Sequence, residues 1–120
     1  YSYETKGLTD KNDQKVLKLK KTLAFIRENF DKEISLDEIA SPSGFSTKYF
    51  CSFFKEMTGK SAIEYLNSYR VERACRKLLG SDQTITQIAY GSGFNDLSYF
   101  IKTFKRIKGC SPSDYRKTSV

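Results

Sequence analysis

The chain has 120 residues, of which 38% are hydrophobic, enough for one compact domain or two very small ones and nothing larger. Its 21 Lys and Arg against 14 Asp and Glu give a net charge of +7, which favours a polyanionic partner such as nucleic acid or an anionic membrane surface. With no histidine, three scattered cysteines (Cys51, Cys75, Cys110) and no Cys-x-x-Cys pair, neither a zinc site nor a disulfide framework is indicated, and the usual acid-base residue is absent.

No apolar run approaches the ~18 residues needed to cross a bilayer, and the N-terminus lacks the apolar core of a secretory signal. The chain therefore reads as soluble and cytoplasmic, with no membrane partner. Position 1 is Tyr rather than Met, so it also reads as an excerpt whose missing part lies upstream. Residues 1–11, polar and unpatterned, read as the tail of an interdomain linker.

A leading helix is expected from about Asn12 to Asn29, with Val16, Leu19, Leu23, Ile26 and Phe30 on an apolar stripe. After it comes a unit that is written twice. Ser35-Leu-Asp-Glu-Ile-Ala40 and Ser43-Gly44-Phe45 match Thr84-Ile-Thr-Gln-Ile-Ala89 and Ser92-Gly93-Phe94 at a constant offset of 49. One inserted residue later the match resumes at 50, pairing Tyr49-Phe50 with Tyr99-Phe100, Phe54-Lys55 with Phe104-Lys105, and Gly59 with Gly109. Ser35-x-x-Glu38, Thr84-x-x-Gln87 and Ser61-x-x-Glu64 are capping boxes, and Ser111-Pro112 places a cap before a proline at the first helical position. The glycine of each Ser-Gly-Phe suits a left-handed residue ending a short helix, after which Ser46 or Asn95 can cap the next. Short helix, glycine turn and second helix form the helix-turn-helix pattern.

The fold class expected is all-α: a double helix-turn-helix domain over 12–120, with a first unit at about 12–59, a linker helix at about 61–79 and a second unit at about 84–117. The linker helix, about 18 residues at ~1.5 Å each, makes a rod of roughly 27 Å.

The aromatic crowding in "GFSTKYFCSFFKEMTG" is core rather than a base-stacking platform. Phe50, Phe54 and Met57 match Phe100, Phe104 and Ile107 at i, i+4, i+7, the buried stripe of each second helix, and Phe45 and Phe94 anchor the turns. The opposite face carries the function. In the first copy it presents Lys48, Cys51, Ser52 and Lys55; in the second, Leu97, Ser98, Ile101, Lys102 and Lys105. Leu97, taken to fall at the insertion, and Ile101 either meet thymine methyl groups or pack at the edge of the linker helix. An α-helix fits the B-DNA major groove, where Ser52, Lys102 and Lys48 are candidates for base contact. Lys55, Lys105, Arg106 and Lys108 are candidates for phosphate contact, which gives affinity without sequence information. The second recognition segment is the more basic: Lys48 and Lys55 against Glu56 leave +1 in the first, and four basic residues against Asp96 leave +3 in the second.

The pair of segments "IASPSGFSTKYFCSFFKEMTGKSAIEYL" and "ITQIAYGSGFNDLSYFIKTFKRIKGCSPSDYR" resembles the DNA-binding domain of AraC/XylS transcription regulators over about residues 15–117. The second is the more specific, with Ala89, Gly93-Phe94, Tyr99-Phe100, Phe104-Lys105, Gly109, Ser111-Pro112 and Tyr115-Arg116 all at the family's positions. The resemblance implies a bacterial sequence-specific regulator, usually an activator, whose two recognition helices enter successive major-groove turns of double-stranded DNA, ~34 Å apart. It implies an upstream sensory domain through which any dimerisation would run, and RNA polymerase as a candidate partner. Base-contact positions carried over from the family are Lys48, Cys51, Ser52, Leu97, Ser98, Ile101 and Lys102; the phosphate candidates, which the resemblance does not supply, are Ser46, Lys55, Asn95, Lys105, Arg106 and Lys108. One departure is the small Ser52, where relatives often carry a long arginine, which bears on direct readout by the first helix. No cofactor, metal or catalytic residue is expected. A rival reading, a methyl-accepting cysteine enzyme using Cys51, lacks the base and pKa-lowering neighbours such a thiol needs.

Overall fold

The computed structural model describes residues 11–118. The expected linker lies outside them except for Lys11, which opens the first helix. Among the described residues there are seven α-helices and no strand: α1 (Lys11–Asn29), α2 (Leu36–Ala40), α3 (Thr47–Thr58), α4 (Ala62–Gly80), α5 (Ile85–Gly91), α6 (Leu97–Lys108) and α7 (Pro112–Lys117), with one 3-10 turn at Ser41–Ser43. The all-α double helix-turn-helix follows, α2–α3 and α5–α6 being the two pairs and α4 the long helix between them. The described residues divide into two compact units, one of residues 11–28 and 34–62, the other of 29–33 and 63–118.

The helix starts obey the capping chemistry. Glu38 N donates to Ser35 Oγ at 3.1 Å and Ser35 N to Glu38 Oε1 at 2.8 Å. Gln87 N and Thr84 N make the same reciprocal pair at 3.1 and 2.9 Å. Ser111 Oγ accepts from Asp114 N at 3.1 Å ahead of Pro112. The turn glycines Gly44 and Gly93 hold φ of +78° and +100°, in the region an L side chain disfavours.

One expected cap differs. Ser46 caps α3, accepting from Tyr49 N at 3.2 Å, but α6 is capped by Asp96, whose Oδ1 accepts from Ser98 N at 3.2 Å, and not by Asn95. The carboxylate is the stronger acceptor for an orphan amide and suits the positive end of the helix. Asn95 is therefore the inserted residue, and Leu97 aligns with Thr47 as the first residue of its helix.

In the first unit Ile26, Ile39, Ala40, Phe50, Phe53 and Phe54 are buried, and Phe50 meets Phe53 and Phe54 with ring centroids 6.3 and 5.6 Å apart. The buried stripe of α3 is thus wider than expected: Phe53 joins it and Met57 lies only partly covered. The second unit repeats this with Phe100, Thr103 and Phe104 buried and Ile107 partly so. Positions i+3 and i+4 both face the core of a helix, so a stripe drawn through i+4 alone is too narrow.

On α1 the expected stripe is also corrected. Val16 is 40% exposed, whereas Thr22 is fully buried, its hydroxyl donating to Lys18 O at 3.1 Å. That back-bond satisfies the hydroxyl and lets a polar residue occupy a core position. Phe30 lies beyond the helix, its ring edge-on to Tyr69 at 5.2 Å with the Arg73 guanidinium 5.3 Å from its centroid.

The second core gathers Val71, Ala74, Cys75 and Leu78 of α4, Ile88 and Ala89 of α5, and Phe94, Phe100 and Phe104. Arg116 closes it, donating to the carbonyls of Leu78 at 3.0 Å and Ser81 at 3.2 Å, where α4 ends with orphan acceptors. Burial pushes the Cys75 thiol up. Its hydrogen bond with Tyr115 raises the phenol in turn.

Candidate nucleic-acid interface

Residues four apart on a helix share a face, and with the match resuming at 50 the two recognition helices present the same stripe. On α3 it is Lys48, Cys51, Ser52 and Lys55, all exposed. On α6 it is Ser98, Ile101, Lys102 and Lys105, which line one shallow concavity. Their opposite sides are the buried phenylalanines, so burial of Phe50 and Phe54, and of Phe100 and Phe104, is what turns these stripes outward.

The stripes differ in chemistry. Ser98 stands where α3 has Lys48, Ile101 where it has Cys51, and Lys102 where it has Ser52, while Lys55 and Lys105 agree. Leu97 and Ile101 are both partly buried against the second core. Edge packing is therefore part of their role. Ile101 also lines the concavity between Ser98 and Lys102, so one edge of the side chain faces outward.

Among the phosphate candidates, Lys55, Lys105 and Arg106 are exposed in the last turns of their helices, where cations also complement the helix dipole. Ser46 and Asn95 are exposed, but the Ser46 hydroxyl is engaged as the cap of α3. Lys108 is committed elsewhere. Its ammonium pairs with Glu72 at 2.5 Å, and that hydrogen bond raises its pKa.

The acidic residues are distributed unevenly. Asp37 and Glu38 occupy the first turn of α2, and Asp37 accepts a hydrogen bond from Thr47 Oγ1 at 2.5 Å. Their counterparts in α5 are the neutral Thr86 and Gln87. The first turn of α2 is therefore negatively charged, and that of α5 is not. Among the described residues no cluster of three or more His, Cys, Asp or Glu could hold a metal ion, and no helix is long and apolar enough to cross a membrane.

A family model described as a helix-turn-helix domain matches residues 39–118, from the end of α2 through α7. The chain belongs to the AraC/XylS-type helix-turn-helix family of DNA-binding transcription regulators. It is 32% identical over 94 residues to the MmsAB operon regulatory protein of Pseudomonas aeruginosa, covering 78% of this chain and 31% of that protein. It is 33% identical over 100 residues to the transcriptional activator RhaS of Klebsiella pneumoniae, covering 83% of this chain and 36% of that one. The chain thus spans about a third of the length of these curated relatives. Among solved structures, the DNA-binding domain of AdpA, a global transcriptional factor, in complex with a target DNA superposes with a TM-score of 0.79 at 27% identity, over 83% of this chain and 90% of that one. These AraC-type relatives are regulators, and the cysteine-enzyme reading is set aside.

Proposed function

We propose that this chain is the DNA-binding part of a longer transcription activator, and that α3 and α6 each lay their outer stripe in the major groove, in successive turns on one face of double-stranded DNA. The observation that carries the reading is the duplicated stripe, exposed on two helices whose opposite sides are buried phenylalanine. The DNA complex of the similar AdpA domain supports it. The base-reading set comprises Lys48, Cys51 and Ser52 on α3 and Leu97, Ser98, Ile101 and Lys102 on α6, with Ile101 offering its exposed edge to a thymine methyl. The phosphate set rests chiefly on Lys55, Lys105 and Arg106, with Ser46 and Asn95 at the helix starts; Lys108 joins only by leaving Glu72. The activator role has its support in the similar activator RhaS, and the relatives' greater length leaves room for a further domain; in this reading sensing and any dimerisation belong to an upstream domain, and activation runs through contact with RNA polymerase.

Lys102 is the most discriminating position. Lys102→Ala is expected to weaken binding to a selected target by about 1–3 kcal/mol and to relax preference at one base pair, read by competition against single-base variants. A loss equal across all sequences would demote Lys102 to a phosphate contact.

The units should also differ in salt response. Each phosphate contact contributes about 0.9 to the slope of log affinity against log salt. Neutralising Lys105 and Arg106 together is expected to flatten that slope more than neutralising Lys48 and Lys55, because the second recognition segment carries the greater positive charge. Equal slopes for the two double variants would remove the asymmetry.

A further inference from the structure

Beside the aromatic ring of each turn that leads into a recognition helix stands a cation from the long helix before it. In the first unit Lys18 of α1 donates from Nζ to Ser43 O at 2.7 Å and stands 4.8 Å from the centroid of the Phe45 ring. A Cβ placed on Gly44 would lie 3.6 Å from the same nitrogen. In the second unit the Arg70 guanidinium of α4 stands 5.8 Å from the Phe94 centroid, and a Cβ on Gly93 would lie 2.6 Å from its Nε. Arg70 Nε also donates to Phe30 O at 2.7 Å and its Nη2 to Lys32 O at 2.8 Å.

Phe45 and Phe94 are equivalent residues of the repeat, so Lys18 and Arg70 are equivalent cations. The sequence match is not visible before Ser35, yet the structural one continues back into α1. Both side chains are only partly exposed, and burial lowers the Arg70 pKa. Neither lies on the outward stripes. A charged donor on a backbone carbonyl is stronger than a neutral one, and a cation over a ring face adds attraction. In the first unit the two contacts fix the turn from both sides, at the carbonyl before the left-handed glycine and at the ring after it; in the second, the Arg70 donors go to Phe30 O and Lys32 O, and its contact with the turn is through the Phe94 ring.

We propose that Lys18 and Arg70 are positioning residues for DNA recognition, setting the direction in which α3 and α6 leave their turns without themselves touching DNA. The inference rests on the DNA-binding reading above. Lys18 gives the cleaner test, because Arg70 also holds the segment at Phe30 to Lys32.

The test uses this chain and the sequence the unaltered chain selects from a random DNA pool, against a scrambled duplex. Lys18→Met keeps the methylenes and removes the charge. It is expected to raise Kd for the selected sequence about tenfold while leaving the scrambled duplex and the salt slope unchanged. Lys18→Arg is expected to restore selectivity. In the free protein, amide exchange from Phe45 to Tyr49 should quicken in Lys18→Met and not in Lys18→Arg. A salt slope lower by about 0.9, or unchanged selectivity, overturns the proposal. If the unaltered chain selects no sequence, the DNA-binding reading fails separately, and unchanged amide exchange in Lys18→Met then overturns the clamp.

Discussion

Phe104→Ala is expected to destabilise the second unit by about 3–5 kcal/mol, the range for emptying a fully enclosed aromatic site. Phe104 has no exposed surface, and its ring packs on Phe100 at 5.7 Å and edge-on to Tyr115 at 5.5 Å. Truncation leaves a void between α6 and α7 that neither ring can fill without leaving its own partner. In a domain of this size a loss of that order lowers Tm by more than about 10 °C, readable by calorimetry or circular dichroism. Lys105→Ala, one residue along and exposed, should leave Tm within a degree or two. Retained stability in Phe104→Ala would break the assignment of the phenylalanine stripe to the core, and with it the outward stripe.

The second large effect is expected at Gly93. A Cβ there would come 2.1 Å from Phe30 O, a backbone atom that cannot swing aside, and the residue holds φ at +100°. Strain and steric relief together put the cost of Gly93→Ala at about 2–5 kcal/mol. Gly59 is the control. It holds φ at +81° with nothing within 4 Å of its would-be Cβ, so Gly59→Ala should cost only the left-handed conformation, roughly 1–2 kcal/mol. Urea unfolding of the two variants side by side gives the comparison, and equal losses would show that the close approach at Gly93 contributes nothing.

The same contrast marks where sequence reasoning works. Helix starts were legible because a capping box is local: Ser35 with Glu38 and Thr84 with Gln87 act over three residues, and both form. The duplication made the outward stripes legible by placing Phe50 and Phe100 at matching positions. What was not legible involved either a single-residue choice or a distant partner. Asp96 rather than Asn95 caps α6, a choice between neighbouring acceptors that depends on where the insertion is absorbed. Thr22 passes as polar until its hydroxyl is seen to bond back along α1. Lys18 with Ser43, Arg70 with Phe30, and Lys108 with Glu72 join residues 25, 40 and 36 positions apart, and nothing in a solvated-looking cation names its acceptor. For the interface, the consequence is that Lys108 has a partner of its own and that Leu97 and Ile101 contribute to the core.

The electrostatic difference between the units has a functional meaning within the proposed reading. The second recognition helix has Lys102 on its stripe and Lys105 and Arg106 in its last turn, Lys108 being paired with Glu72, and its companion helix α5 has no acidic residue in its first turn. The first has Ser52, with Asp37 and Glu38 at the start of α2. Affinity should therefore come mainly through α6, with α3 adjusting it.

The most direct test of two-groove recognition is selection of bound sequences from a randomised DNA pool by the 120-residue chain. Two enriched blocks with centres roughly 10 base pairs apart, the stronger one relaxed at one base pair in Lys102→Ala and the weaker altered in Lys48→Ala, are the result expected. A single enriched block, or a pool no different from the starting mixture, would contradict it.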